Sequence, residues 1–256
     1  MSDLIVERAA GVVTATINRP TRKNALTYAL FDDLCALCEE VDATRGDRAM
    51  VLRGAGGDFC SGIDLNEVAA SAVLPVDGAA RVNRAAQALH DLRTPSIAVV
   101  EGLAVGAGMS LAIGCDLVVA STTARFSAIF VRRGLSVDFG MSWLLPRLVG
   151  VARAKELCLL GEFVGADEAL AIGLVRRVVR PEELDACVAD LAGRLADGPS
   201  VALANDLDLL DAAHGRSFAE ALDAEMAAQA QSSTTSDALE AITAFLEKRP
   251  AKFTGQ

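Results

Sequence analysis

Short apolar runs typical of buried strands alternate with segments of helical spacing over roughly the first 180 residues of the chain. The predicted strands are residues 4–8, 12–18, 49–53, 96–100, a run ending at Ala120, and 174–179. The predicted helices are a segment that Thr27 can cap, residues 80–92, 151–160 and 166–171, and one that starts at Pro181. This order of elements indicates an α/β fold.

Beyond Gly198-Pro199 the apolar spacing becomes entirely helical, over residues 201–213, 218–230 and 235–248. We therefore divide the chain into a core of residues 1–198 and a helical region of residues 199–256. Three helices with no strand to cover are expected to pack on another subunit or to fold back over the core.

The stretch 96–120 reads as a buried strand, a glycine turn, a buried helix and a second strand. A helix that starts at Gly106 and Gly108 leaves its first N–H groups free and open to close approach, which suits an anion or a developing oxyanion. The alternative is that these glycines only allow the helix to pack close to a strand. Because Leu111 stands where G-x-G-x-x-G requires its third glycine, no nicotinamide cofactor is predicted.

A second turn of small residues, 59–65, follows the predicted strand 49–53 and opens a helix. If the two strands are neighbours in a parallel sheet, both turns lie at the same sheet edge. One ligand oxygen could then accept hydrogen bonds from both turns. The loop 19–23 gathers Arg19, Arg22 and Lys23, and is either a solvated basic loop or a grip on phosphates.

Asp138 is a lone carboxylate among apolar residues, just before a helix predicted to begin near Ser142. One interpretation is that it caps this helix. The other is that apolar walls raise its proton affinity to the range of a general base. Residues 68–80 lack a firm period and are expected to be mobile.

Bulk properties narrow the function classes. A net charge of −10 and a pI near 4.7 argue against a general nucleic-acid binder. No uninterrupted apolar run predicts a membrane span, and the start of the sequence lacks the pattern of a secretory signal, so a cytoplasmic protein is expected. The six cysteines are expected to be free thiols, with no metal site at Cys35 and Cys38.

An ordered set of motifs resembles the crotonase family, the enoyl-CoA hydratases and isomerases. The motifs are Asn18-Arg19-Pro20 with Asn24-Ala25-Leu26, residues 59–65, residues 102–108, Cys115-Asp116, residues 144–147, residues 169–175 and the tail 245–249. The resemblance implies a spiral of β-β-α units, a helical carboxy-terminal region, and assembly as a homotrimer or a dimer of trimers. It also implies an acyl-CoA thioester as ligand, with coenzyme A as part of the substrate and no further cofactor.

The resemblance also implies roles for particular residues. The N–H groups of Ile63 and Ala107 would form an oxyanion hole for the thioester carbonyl, with Gly106 and Gly108 shaping the turn. The substrate-binding residues would be Arg22, Ala25, Ser61, Gly62, Asp64, Leu65, Gly106, Gly108, Ser110, Phe130 and Val137. Lys248 and Lys252 are further candidates for the phosphates of coenzyme A.

The departures from the family pattern bear on the reaction. Two glutamates position water in the family's hydratases, and the matching positions here hold Ser110 and Phe130. Asp138 stands where isomerase-like members have a catalytic aspartate in a Pro-Asp turn, although Val137 replaces the proline. One base that removes a proton at one carbon and returns it at another suffices for double-bond migration.

Our hypothesis is therefore an acyl-CoA isomerase with Asp138 as base. Two alternatives stay open: a hydratase in which Asp138 alone activates water, and a silent acyl-CoA-binding homologue. A serine hydrolase is disfavoured because G-x-S-x-G is missing and no local motif connects His90 or His214 to a serine.

Overall fold

The computed structural model of the protein describes residues 2–70 and 76–256, except for the side chains of residues 68–70 and 76. The strands within these residues are Leu4–Ala9 (β1), Val12–Ile17 (β2), Ala49–Gly54 (β3), Ser96–Val100 (β4), Leu103–Val105 (β5), Leu117–Ser121 (β6), Arg125–Ser127 (β7), Val164–Gly165 (β8) and Arg177–Val179 (β9). The helices are Tyr28–Ala43 (α1), Leu65–Ala70 (α2), Val76–His90 (α3), Ala107–Gly114 (α4), Met141–Val149 (α5), Val151–Leu160 (α6), Ala166–Ala171 (α7), Pro181–Ala196 (α8), Ser200–Ala212 (α9), Phe218–Ser233 (α10) and Ser236–Glu247 (α11).

The strands form two sheets. The larger sheet has the order β1-β2-β3-β4-β6-β9, in which β1 is antiparallel to β2 and every other pair is parallel. The smaller sheet has the order β5-β7-β8. A two-residue turn at Ala10 and Gly11, both with positive φ, closes the predicted hairpin of β1 and β2. The predicted α/β fold is confirmed.

The central strands are continuous apolar runs because both faces of the large sheet are covered. Val51, Ile97 and Val119 pack with Leu184 and Val188 of α8 on one face. The alternate residues of the same strands join the main core on the opposite face. A parallel sheet buried on both sides therefore has no polar alternation for the sequence to show.

Helix α1 begins as predicted, since the Thr27 hydroxyl oxygen accepts a hydrogen bond from the amide of Leu30. The segment 68–80, for which the sequence predicts mobility, is helical at both ends, because α2 runs to Ala70 and α3 begins at Val76. The rest of that segment, residues 71–75, lies outside the described residues. Gly78 lies inside α3 and does not end a helix. Its lack of a side chain allows α3 to pack close to Tyr28, because a Cβ there would lie 2.4 Å from Cζ of Tyr28.

The carboxy-terminal helices are tied back to the core. The Arg48 guanidinium, in the loop before β3, donates hydrogen bonds to the carbonyl oxygens of Gly198 and Phe253 and to Oγ of Ser200. Asp237 at the start of α11 accepts hydrogen bonds from the amides of two residues near the chain end. Helices α10 and α11 still leave large apolar side chains exposed. These are Phe218, Leu222, Met226, Leu239, Ile242, Phe245 and Leu246. Among the helices that the structure describes, none has the length and apolar character needed to cross a membrane.

Candidate active site

A cavity of about 590 Å³ opens beside the turns that follow β3 and β4. We call it the main cavity. Eleven of the residues singled out from the sequence line it: Arg22, Ala25, Ser61, Gly62, Ile63, Asp64, Leu65, Gly106, Ala107, Phe130 and Asp138. The two turns, the basic loop and the segment around Asp138 therefore meet at one cavity, although they are far apart along the chain.

The two turns lie side by side because backbone hydrogen bonds join them. The amide of Cys60 donates to the carbonyl oxygen of Leu103 over 2.8 Å, and the amide of Val105 donates to the Cys60 carbonyl oxygen over 2.9 Å. A Cβ on Gly62 would lie 2.8 Å from the carbonyl oxygen of Val105, and a Cβ on Gly108 would lie 2.3 Å from that of Cys60. The approach of the two chains thus requires glycine at both positions.

The hydrogen bonds around Ile63 set the direction of its amide. Leu26 receives the amide of Asp64 and donates to the carbonyl oxygen of Gly62, each over 2.8 Å. Because alternate backbone groups of an extended chain point to opposite sides, the Ile63 N–H points away from Leu26. Ala107 is the first residue of α4, so its N–H has no acceptor within the helix. Neither amide has a backbone partner in the described part of the chain. Two free donors therefore border the main cavity.

Asp138, a partly buried residue, lines the main cavity with its carboxylate. Its Oδ1 is shielded from solvent and has no hydrogen-bond partner among the described residues. Burial raises the pKa of this carboxyl to about 6. Gly140, with φ of 77°, precedes α5 without a side-chain cap. The interpretation of Asp138 as a helix cap is therefore wrong, and its carboxylate is available to a ligand.

The other carboxylate that lines the main cavity is held by neighbours. Asp64 lies 3.0 Å from the Arg19 guanidinium, and its other oxygen accepts hydrogen bonds from Asn66. Although burial opposes ionisation, these hydrogen bonds lower the pKa of the Asp64 carboxyl. Arg19 also donates to the carbonyl oxygen of Ala25 and pairs with Asp3. Arg19 therefore connects the basic loop to the turn of residues 59–65. Arg22 and Lys23 are the remaining residues of the basic loop that could bind phosphates.

Three predicted binding residues do not line the main cavity. Ser110 is wholly buried inside α4, where its hydroxyl donates to the Gly106 carbonyl oxygen over 3.3 Å. Gly108 faces Cys60, and Val137 packs against the main core. Ser110, Gly108 and Val137 contribute to the packing around the main cavity rather than to its lining. Lys248 and Lys252, at and beyond the end of α11, are also absent from the lining.

Seven lining residues were not identified from the sequence: Tyr28, Asn66, Ala79, Val82, Asn83, Val105 and Ile129. Four more, Arg133, Gly134, Leu135 and Ser136, lie in the segment 130–143, which the sequence predicts to shape the acyl pocket. The helical spacing of Ala79, Val82 and Asn83 on α3 was the available signal, since the three share one helix face. The single tyrosine is also notable, because the hydroxyl of Tyr28 is buried without a partner among the described residues.

All six cysteines are free, as predicted. Burial raises the pKa of the Cys38 and Cys60 thiols to about 12, so neither is a ready nucleophile. Within residues 2–70 and 76–256, no three His, Cys, Asp or Glu side chains are grouped to hold a metal ion.

Comparison with known proteins identifies the family. A sequence model of the enoyl-CoA hydratase/isomerase family matches residues 7–256. This chain belongs to that family, as the motifs predicted. It is 35% identical over 251 residues to the 1,2-epoxyphenylacetyl-CoA isomerase of Escherichia coli K12, covering 96% of each chain. It is 33% identical over 253 residues to the short-chain-enoyl-CoA hydratase of Clostridium acetobutylicum, covering 97% of this chain and 96% of the relative.

A solved structure shows the same fold. The enoyl-CoA hydratase of Mycobacterium smegmatis superposes with a TM-score of 0.92 at 34% identity, covering 99% of both chains. The protein is thus a crotonase-fold enzyme of the family that acts on acyl-CoA thioesters. Since relatives at similar identity are named as isomerase and as hydratase, the comparisons leave the reaction open.

Proposed function

We propose that this family member is an isomerase that moves a double bond, or makes a related proton transfer, on an acyl-CoA. Asp138 is the base, and the N–H groups of Ile63 and Ala107 stabilise the thioester oxyanion. The observation that carries the proposal is the unpartnered Oδ1 of Asp138 at the main cavity. Asp64, the other acid among the described lining residues, is engaged by Arg19 and Asn66.

The proposed reaction on a 3-enoyl thioester has two proton transfers. The Asp138 carboxylate takes a proton from C2, and the electron pair moves through the carbonyl to give a dienolate whose oxygen accepts from Ile63 and Ala107. The Asp138 carboxylic acid then returns that proton at C4, which leaves the double bond between C2 and C3. No water is consumed, and no cofactor is needed beyond the coenzyme A of the substrate.

The site supplies the two groups that this reaction needs, oxyanion donors and a base of suitable pKa. An enolate oxygen in a cavity needs donors where its charge develops, and losing one such donor typically costs about 2.7–4 kcal/mol of barrier. A base with a pKa of about 6 is ionised at neutral pH and still binds the proton well enough to carry it.

The test is turnover of 3-hexenoyl-CoA by the Asp138→Asn variant, followed through absorbance of the conjugated product. The amide keeps the shape of the side chain but cannot take a proton, so we expect kcat to fall by about 10²–10⁴. Unchanged kcat would remove Asp138 from the mechanism. Turnover of no acyl-CoA by the native enzyme, together with tight binding, would instead favour the silent homologue.

Hydration is the second candidate, because relatives such as the Clostridium acetobutylicum enzyme are named hydratases. Asp138 would then activate a water by itself, since Ser110 is buried inside α4 and Phe130 has no proton to exchange. Crotonyl-CoA incubated in ¹⁸O-labelled water separates the two reactions. Labelled 3-hydroxybutyryl-CoA would favour hydration, whereas formation of unlabelled 3-butenoyl-CoA would favour isomerisation.

We further propose that the subunits assemble as a homotrimer or as a dimer of trimers. The support is the set of exposed apolar side chains on α10 and α11, which includes Phe218 at 82% exposure and Phe245 at 81%. Surfaces of this kind are seldom left in contact with water.

A further inference from the structure

A second hollow of about 550 Å³ shares one lining residue, Asn83, with the main cavity. We call it the far chamber. It is lined by Asn83, Ala86, Gln87, His90, Gly114, Phe139, Gly140, Trp143 and Leu144. None of these residues except Asn83 was assigned above to the main cavity.

Helix α3 forms one continuous wall of both spaces. Ala79 and Asn83 line the main cavity, and Asn83, Gln87 and His90 line the far chamber. Their spacing of four, four and three residues places them along one helix face. At 1.5 Å per residue, this face extends about 16 Å from Ala79 to His90. Asn83 is the residue that lines both spaces.

The opposite wall is continuous as well. Asp138 lines the main cavity, while the next two residues, Phe139 and Gly140, line the far chamber, which extends to Trp143. The proposed base is therefore next in the chain to residues that line the far chamber. In the proposed reaction, an acyl group held by its carbonyl at the two free amides and reacting beside Asp138 would direct its remaining carbons toward the far chamber.

The residues Gly114, His90 and Trp143 limit the size of the far chamber. A Cβ on Gly114 would lie 3.2 Å from Leu89 and 3.6 Å from Phe139, so a larger residue at position 114 would reduce the volume of the far chamber. The rings of His90 and Trp143 meet edge to face, with centroids 5.2 Å apart, and join α3 to α5 at the far end. The Arg147 guanidinium stacks on the Trp143 ring at 3.7 Å. These ring contacts thus bound one end of the far chamber.

The chemistry of the lining is mixed. Phe139, Trp143 and Leu144 offer apolar and aromatic surface, whereas Asn83, Gln87 and His90 offer hydrogen-bonding groups. The Gln87 amide already donates to Asp91 over 2.7 Å, so Asn83 and His90 are the groups left to a ligand. An aromatic ring would pack on the apolar surface, and a hydroxyl on that ring could bond to Asn83 or His90.

We propose that the far chamber binds the distal end of an extended acyl group, in particular an aromatic ring with a polar substituent. This inference rests on the proposed function for the position of the thioester, and it names the substrate class of the same site. Asn83 and Trp143 are then specificity-determining residues.

The test compares the binding of two saturated analogues, hexanoyl-CoA and 6-(4-hydroxyphenyl)hexanoyl-CoA, by titration calorimetry on the full chain. We expect the native protein to bind the extended analogue at least tenfold more tightly. Ala86→Phe fills the far chamber, so it should reduce this Kd ratio to within twofold of one. Ala80→Phe is the matched control, because Ala80 is exposed on the same helix and lines neither space; it should keep the native ratio.

Gln87→Trp fills the far chamber from its exposed side. If Ala86→Phe does not fold, the Kd ratio of the Gln87→Trp variant provides the test. A native Kd ratio near one, or a preference that survives both filled variants, would overturn the inference. A change of sedimentation coefficient in both filled variants, with the preference intact, would instead identify the far chamber as a contact between copies of the chain. If the preference behaves as expected but no 3-enoyl analogue is turned over, the proposed reaction fails and the far chamber stands.

Discussion

The Asp138 carboxyl is expected to lower the stability of the folded state at neutral pH. Its pKa is about 6 when folded against an ordinary value of 3.8, so the folded state binds the proton more tightly. The free energy of unfolding should therefore fall as pH rises from about 4 to about 6 and stay lowered above that. Asp138→Asn should raise it by about 1–3 kcal/mol at pH 7.5 and by much less at pH 4. Urea unfolding of both proteins measures this, and an equal effect at both pH values would contradict it.

The same residue shows what the sequence can predict at this scale. A lone acid among apolar neighbours was enough to single out Asp138, because burial and proton affinity are linked. Whether it capped α5 or faced a ligand depended on the direction of one side chain, which sequence spacing does not set. Ser110 shows the same limit: every residue near it on α4 is apolar or small, so no polar face indicated which side of the helix meets the main cavity.

At the scale of elements, the start of α4 depends on the absence of a side chain at Gly108. A Cβ there would lie 2.3 Å from the Cys60 carbonyl oxygen, so Gly108→Ala must push α4 away from the turn that carries Ile63. We expect kcat to fall at least tenfold through misalignment of the two amides, with a further loss of stability. Gly193→Ala is the control, since nothing lies within 4 Å of a Cβ there. In the interior of α8 it should add about 0.5–1 kcal/mol of stability and leave kcat unchanged. Equal kcat values for the two variants would contradict this account.

Helices were predictable from their periodicity, and the shortest elements were not. Helices α6 and α7 have the predicted bounds, whereas α3, predicted at 80–92, runs from Val76 to His90. Strand β5 has three residues between two glycine turns, and the 3-10 turn Ile129–Arg133 has five. Neither is long enough to show a period, yet both line the main cavity. The site was therefore less predictable than the core that supports it.

At the scale of the whole molecule, the motifs at residues 59–65 and 102–108 mark turns that the parallel sheet brings to one edge, and their order with the other motifs predicted the fold. The sequence predicted that residues 130–143 help to shape an acyl pocket, but it did not indicate α3 as the other wall of the far chamber. The far chamber arises where α3 faces residues 139–144, and these two segments are about 50 residues apart in the sequence. Only the packing of the sheet and helices brings them together.

The proposed assembly of subunits rests on the exposed apolar faces of α10 and α11. Burying a phenylalanine side chain contributes about 1.5–3 kcal/mol, and symmetry repeats that contribution in every subunit. Phe245→Asp would place a charge at each copy of such a contact, so we expect a smaller species in sedimentation velocity at micromolar concentration. Gln229→Asp adds the same charge at an exposed polar position of α10 and should keep the native sedimentation coefficient. A native protein that sediments as a monomer, or a Phe245 variant that sediments like the native protein, would rule out this face as the subunit contact.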